Sequence, residues 1–451
     1  MRSAVWYFPA VAVLTISALA QSADSMGMSG QDRSGQTMPG MNMPGMDMGE
    51  AGSLPSFHAS SGSSWQPASV PAAMWMISRG NWDLMAHGAI FVTDNQQGGP
   101  RGGGKAESVN YLMAMEQHRL GSGTLLFRQM FSAESLTSPH PGFPELFQTG
   151  ETFHGQALVD HQHPHNVFAE LAVLYTVPLS EKVSWLLYGG PSAEPELGPV
   201  TYIHRQSASE DPAAPLGHHL QDSTHTSFGV VTTGFIFDLS KLSLSMLGFF
   251  KIEGSAFNAH EPNEQRWSIQ LAPLDSWSFR VSAAPGRNWI AQYSYGRLLH
   301  PEALDPNNEL RQSSSLEYNQ PLSGGKLGDG NWATTLVWGR KHKQLDNTTQ
   351  NSYLLESTLN FLARNYAYSR LELVDKDELF PRALTHPAYR IGAYTFGGVR
   401  DLLHNEHWQL GLGGDVTFYS KPAVLGTFYG NDPVSFHVFL RVRPGLMEHR
   451  H

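Results

Sequence analysis

The chain of 451 residues contains no cysteine. That excludes a disulfide framework and a lipid-attachment cysteine behind an export signal. Charge is sparse: 30 Lys and Arg stand against 40 Asp and Glu, 16% of the chain in all, for a net charge of -10. Nucleic acid is not an expected partner on that balance. Beyond the first twenty residues no stretch approaches the ~20 uninterrupted apolar residues that a helix needs to cross a bilayer. There is no phosphate-binding loop, no H-E-x-x-H, and no G-x-S-x-G in a strand–turn–helix context, so an enzyme is not expected. Blade-type repeats of fixed period are also missing, which argues against a propeller.

What the chain does have is alternation. From about Trp82 to Arg443 it breaks into segments of about ten residues, apolar and polar in turn, separated by Gly, Pro, Asn and Asp. Trp277, Phe279, Val281 and Ala283 alternate with Ser276, Ser278, Arg280 and Ser282. Tyr353, Leu355, Ser357, Leu359 and Phe361 alternate with Ser352, Leu354, Glu356, Thr358 and Asn360. Val434, Phe436, Val438, Leu440 and Val442 do so with Ser435, His437, Phe439, Arg441 and Arg443. Successive side chains of a strand point to opposite faces, so one face here meets an apolar medium and the other a polar interior. Sixteen such segments can be marked: 82–92, 107–119, 123–133, 165–177, 182–190, 224–237, 241–252, 274–284, 288–298, 309–319, 330–340, 350–361, 365–374, 389–400, 406–418 and 434–442. The pattern predicts an all-β fold, a transmembrane antiparallel β-barrel of about sixteen strands (14–18), over residues 81–443. Aromatics at 11% of the chain suit girdles at two membrane interfaces. Gaps at 134–164, 191–223 and 253–273 are too polar for lipid and must be extramembrane loops or fold into the lumen. A soluble β-sandwich or propeller is the alternative that also alternates.

The start of the chain reads differently. Met1-Arg2-Ser3 is a short positive head, Ala4 to Leu19 is apolar, and Ala18-Leu19-Ala20 is a small-residue cleavage site before Gln21. Residues 1–20 therefore read as a signal peptide. Residues 21–80 form a Met-, Gly-, Pro- and Ser-rich arm. Its residues 21–70 have no periodicity and few large apolar side chains, so a disordered periplasmic arm is expected. Residues 444–451 follow the last segment as a tail.

The arm carries the sharpest motif: Met38, Met41, Met43, Met46 and Met48 within eleven residues, with Met26 and Met28 upstream. Thioethers are soft ligands that select Cu(I), and Gly and Pro keep the segment open. Histidines form a second constellation. Asp160-His161-Gln162-His163-Pro164-His165 would put three imidazoles on one face if extended, with Asp160 or Asp222 as a carboxylate partner. His154, His204, His218, His219 and His225 are candidates to join them. The competing reading is an ordinary polar lumen. Glu194, Glu196, Glu210 and Asp211 read as solvated loop charges. Arg340-Lys341-His342-Lys343 reads as a solvated loop, or as a contact to lipopolysaccharide phosphates.

A signal peptide, a Met-rich arm and a barrel in this order resemble the outer-membrane copper-resistance protein B family, on Met38 to Met48 above all. The family's arms carry Met, Asp and His repeats; this arm has Met and Asp47 and no His between Gln21 and Pro55. The stretches Leu197-Gly198-Pro199-Val200 and Pro215 to Ser223 look like an uncharacterised group of bacterial outer-membrane proteins. The resemblance implies copper handling or export at the bacterial outer membrane, with copper held by the Met-rich arm. The expected partners are outer-membrane lipid, lipopolysaccharide and periplasmic copper proteins. The other expectations are a general porin-like channel with an incidental Met-rich tail, and a secreted soluble metalloenzyme using the histidine loops.

Overall fold

A computed structural model of the chain describes residues 59–138, 141–223, 227–239, 248–383 and 385–446. The signal segment, all seven methionines of the expected copper site, His225 and the last five residues lie outside the described residues.

The strands run in chain order as β1 (Trp75–Arg79), β2 (Trp82–Gln96), β3 (Gly104–Leu120), β4 (Gly123–Phe131), β5 (Phe143–Phe153), β6 (Gln156–Gln162), β7 (Phe168–Ser180), β8 (Val183–Ser192), β9 (Val230–Asp238) and β10 (Phe249–Phe257). They continue as β11 (Ser276–Gly286), β12 (Trp289–Leu298), β13 (Glu309–Leu322), β14 (Gly330–Lys343), β15 (Thr348–Phe361), β16 (Asn365–Lys376), β17 (Tyr389–His404), β18 (Trp408–Ser420) and β19 (Val434–Pro444). Sixteen of them, β2 to β4 and β7 to β19, pair antiparallel in one closed sheet, and β19 returns to β2 with Phe436 opposite Gln96 and Val442 opposite Ile90. Closure leaves no unpaired edge, the condition for a sheet in lipid. Each of the sixteen expected segments overlaps one of these strands; 241–252 does so only at 249–252, and its residues 241–247 lie outside the described residues.

Alternation decides what each face meets. On β11, Trp277 and Phe279 face outward and Ser276, Ser278, Arg280 and Ser282 face inward. On β19, Val434, Phe436, Val438 and Leu440 are exposed while Ser435, His437, Phe439 and Arg441 are buried. One end of the barrel has short connections, such as Gly121 before β4 and Arg287-Asn288 before β12. Rings gather there: Trp75 lies 4.7 Å from Trp408, and Tyr318 sits between Trp289 at 4.3 Å and Trp332 at 5.7 Å. At the other end the connections after β4, β8 and β10 are long, and Trp277 and Tyr295 lie 5.8 Å apart on the outer wall. Two aromatic belts, short turns at one rim and long loops at the other are the pattern of an outer-membrane barrel.

Three departures concern residues that composition placed elsewhere. Strand β1, counted with the arm, pairs with the first half of β2, where β19 has already ended, and Ala73 bridges to Leu446. Residues 59–72 pack inside the barrel. Serine-rich sequence reads as solvent-loving, but here its hydroxyls answer buried charges. Lys341 and Lys343 are not in a loop: they end β14, point inward and pair with Glu302 at 2.7 Å and with Asp305 at 2.8 Å and Asp377 at 2.9 Å.

Candidate functional site

The inward faces of sixteen strands line a polar lumen, and three stretches of the chain fill it. The first is 59–72. Arg128 of β4 donates to Ser60 O and Lys251 of β10 to Ser63 O. Arg280 of β11 donates to Ser64 Oγ at 2.8 Å and Ser63 Oγ at 3.0 Å. The buried Trp65 ring lies 4.6 Å from Lys251 Nζ. Nearer the short-turn rim, Asn319 Nδ2 donates to Ser69 O at 2.7 Å.

The second stretch is 132–138 with 141–167, and it carries the inner hairpin β5–β6. This hairpin has its own two-stranded sheet, apart from the wall. Phe147, Glu151, His154 and Asp160 all hold positive φ, between 51° and 66°. Such backbone costs about 1–3 kcal/mol per residue and persists only where the surroundings fix it. They do: Phe147 N donates to Asp160 Oδ1 at 2.8 Å, Arg101 Nε pairs with Asp160 at 2.7 Å, and Arg266 pairs with Glu151. Phe147 stacks on Tyr429 at 4.1 Å and joins Leu146, Leu216, Val374 and Ile391 in an apolar cluster. That cluster ties the hairpin to both the wall and the long loops.

The third stretch, 193–223, leaves β8 and docks on the opposite wall. Arg205 donates to Glu356 of β15 at 2.6 Å and to Asp222 at 2.9 Å. Ser207 Oγ lies 2.7 Å from Thr335 Oγ1 of β14, and Thr358 Oγ1 donates to Ser207 O at 2.7 Å. Asp211 pairs with Arg370 of β16 at 3.0 Å. Glu210 pairs with Arg441 and, at 2.9 Å, with Arg443 of β19. Leu216 N and Gly217 N each donate to Glu372 at 3.1 Å. Glu196 pairs with Arg280, and Ser61 Oγ donates to Glu194 at 3.1 Å. The loop carboxylates expected to be solvated are therefore partnered, with Glu196, Glu210 and Asp211 buried and Glu194 half-buried. A cavity of about 20 Å³ remains beside Glu134, Glu145, His165 and Tyr202, room for roughly one water molecule.

The expected histidine face divides. His161 Nδ1 donates to Val159 O at 3.2 Å. His165 donates from its backbone N at 2.8 Å and from Nδ1 at 2.7 Å to Glu134 Oε2. Burial opposes charge on that imidazole, but Glu134 outweighs it and raises the His165 pKa above its usual value. Pro164 breaks the extended run, so the three rings do not share a face. His163 instead meets His218 and His219 of the third stretch, with one nitrogen of each ring within 4.8 Å of the others. The carboxylate at this point is Glu151, whose Oε1 is 3.0 Å from His163 Nε2. Asp160 and Asp222, the expected carboxylates, are held by Arg101 and Arg205. His204 lies 5.3 Å from His87 and 5.4 Å from Tyr111, and burial, with His87 and Arg128 nearby, pushes its pKa well below the usual value. Glu134, Glu151 and Arg266 had no sequence signal beyond lying in polar gaps.

No family model matches the chain, and no curated protein does. Among solved structures the chain is similar in fold to an anion-selective porin from Comamonas acidovorans, with 10% identity, 80% of this chain and 99% of that chain covered, and a TM-score of 0.44. It is also similar to Salmonella typhi OmpF in complex with daunomycin, with 10% identity, 82% and 100% covered and a TM-score of 0.48. The outer membrane channel DcaP of Acinetobacter baumannii gives 9% identity, 81% and 98% covered and a TM-score of 0.44. These likenesses concern shape alone. None of these three is described as a copper-resistance protein B.

Proposed function

We propose that this chain is an outer-membrane barrel of the porin-like kind, shut at rest, that passes small polar solutes when its inner stretches move. The carrying observation is the docking of 193–223 on the far wall through Arg205–Glu356, Asp211–Arg370 and Glu210–Arg441. Membrane residence is supported by the apolar outer face, the two aromatic belts and the closed sheet. Ion pairs inside a closed wall suit a plug that can be released. Removing one partner leaves an uncompensated buried charge and weakens the closed state. The test is single-channel recording of the full chain in planar bilayers. Wild type should show rare openings, and Glu210→Gln with Asp211→Asn should show frequent ones. Steady large conductance in wild type, or silence in both, would remove this reading.

A second reading adds copper handling, and the spacing of Met38, Met41, Met43, Met46 and Met48 favours it. Thioethers carry no proton, so Cu(I) held there should persist at mildly acidic pH. A peptide covering 24–50 should bind Cu(I) under reducing conditions and lose that affinity when every Met becomes Leu. Equal affinity for the two peptides would leave the channel reading alone.

A further inference from the structure

His163, His218 and His219 come from two different inner stretches, and nothing in the barrel's closure requires them to meet. Their ring nitrogens converge within 4.8 Å. Two of the rings are oriented by backbone carbonyls. His163 Nδ1 donates to Pro164 O at 3.1 Å, and His218 Nδ1 donates to Pro215 O at 2.6 Å. A ring that donates from Nδ1 presents its lone pair at Nε2, the arrangement that backbone carbonyls impose on metal-ligating histidines. Glu151 Oε1 stands 3.0 Å from His163 Nε2, while Arg266 holds the carboxylate's other oxygen. A proton on that nitrogen makes the contact an imidazole–carboxylate pair, and a cation binding the ring would take the proton's place. His219 is fixed from behind by Gly150: a Cβ there would meet His219 Cε1 at 2.2 Å, and the glycine sits at a φ of +113°.

We propose that His163, His218 and His219 form a site for one divalent transition-metal ion, and that the ion fastens the second inner stretch to the third. Three imidazoles are a borderline donor set, suited to Zn²⁺ or Cu²⁺ and unsuited to Mg²⁺ or Ca²⁺. Zinc bonds of ~2.0–2.1 Å would draw the nitrogens inward from their present spacing. A cavity of about 420 Å³ is lined by Pro164, next to His163, and by Arg266, which holds Glu151. Because the ligands sit on both stretches, a bound ion resists their separation. The site is distinct from the methionine arm in donor type.

The experiment uses the full chain purified in detergent and read for metal binding, so its outcome does not depend on whether the barrel conducts. Co²⁺ is added first to wild type, with no substitution that could disturb folding. Intense visible d–d bands of a tetrahedral site are expected, and Zn²⁺ should abolish them. Weak octahedral bands alone would overturn the proposal. Zn²⁺ titration then compares wild type with His219→Ala. Folding of each variant is checked by circular dichroism, and His300→Ala serves as an exposed control. A drop in Zn²⁺ affinity of at least tenfold is expected for His219→Ala, with little change for His300→Ala. Zn²⁺ should also slow proteolysis within 193–223 in wild type and not in His219→Ala. Equal Zn²⁺ affinity in wild type and a folded His219→Ala, or equal proteolysis with and without Zn²⁺, would overturn it.

Discussion

Arg205, on a loop that leaves β8, places its Nε 2.6 Å from Glu356 Oε1 on β15, across the lumen, and both side chains are buried. Glu356 also faces Arg370 at 3.5 Å and accepts from Ser207 Oγ at 2.9 Å. One wall carboxylate thus anchors a loop through one guanidinium group and a hydroxyl, and ties it to Arg370 of the wall. Glu356→Gln keeps the shape and removes the charge, leaving Arg205 and Arg370 with less compensation. The expected loss is about 3–5 kcal/mol, measured by denaturant unfolding in detergent, together with more frequent openings. A change below about 1 kcal/mol would show that the loop does not depend on this anchor.

The outer and inner faces of β11 give a paired test. Phe279 faces outward, so Phe279→Arg should cost about 2–4 kcal/mol if it sits near the midplane. A wet lumen would tolerate Ser278→Arg, but this lumen is filled. Ser278 is 3% exposed, and its Oγ lies 2.8 Å from Ser255 Oγ. Ser278→Arg should therefore be destabilising by overpacking, by about 1–3 kcal/mol or more. Full tolerance, in refolding yield and unfolding midpoint, would mean that the inner stretches are not seated there.

How much of this was legible in the sequence follows from side-chain periodicity. The sixteen wall strands were readable because each alternates against two different media, as Trp277 and Ser278 do. Strand β1 was not, because Trp75 to Arg79 is too short to alternate convincingly. The inner hairpin β5–β6 was not either: it faces protein on both sides and has no apolar medium to pattern it. The histidines were visible, but not their grouping. His163 left its neighbours because Pro164 turns the chain, and it met His218 and His219 through contacts more than fifty residues apart. Glu151 carried no mark, since a single carboxylate in a polar gap looks like any other.

Ser63 and Ser64 make an inexpensive check on the inner stretch near the start of the described chain. Both hydroxyls accept from Arg280. Replacing both with Ala removes two hydrogen bonds to a buried charge, at about 1.5–3 kcal/mol for each. Ser323, exposed in the turn between β13 and β14, serves as the control and should shift the unfolding midpoint little on replacement with Ala. Equal midpoints for all the variants would separate this stretch from the barrel's stability.

The pair between His165 and Glu134 predicts a pH dependence. His165 has its folded pKa raised above the ordinary ~6.5. A raised imidazole contributes stability fully below the unfolded value and loses it as pH rises through the folded one. Closure should therefore weaken above about pH 6.5, with opening frequency rising toward alkaline pH. His165→Gln, which cannot titrate, should flatten that rise. An unchanged profile in the variant would assign the dependence to another group.

The most direct measurement exploits the absence of cysteine from the chain. Ser207 Oγ and Thr335 Oγ1 lie 2.7 Å apart, one on the inner loop and one on β14. Ser207→Cys with Thr335→Cys places two thiols at this contact with no competing partner, and mass spectrometry reports the disulfide. Single-channel recording then compares the oxidised protein with the same protein after reductant. A barrel closed by its inner loop should be silent while the disulfide stands and should open on reduction. Wild-type openings with the disulfide intact would contradict closure by this loop.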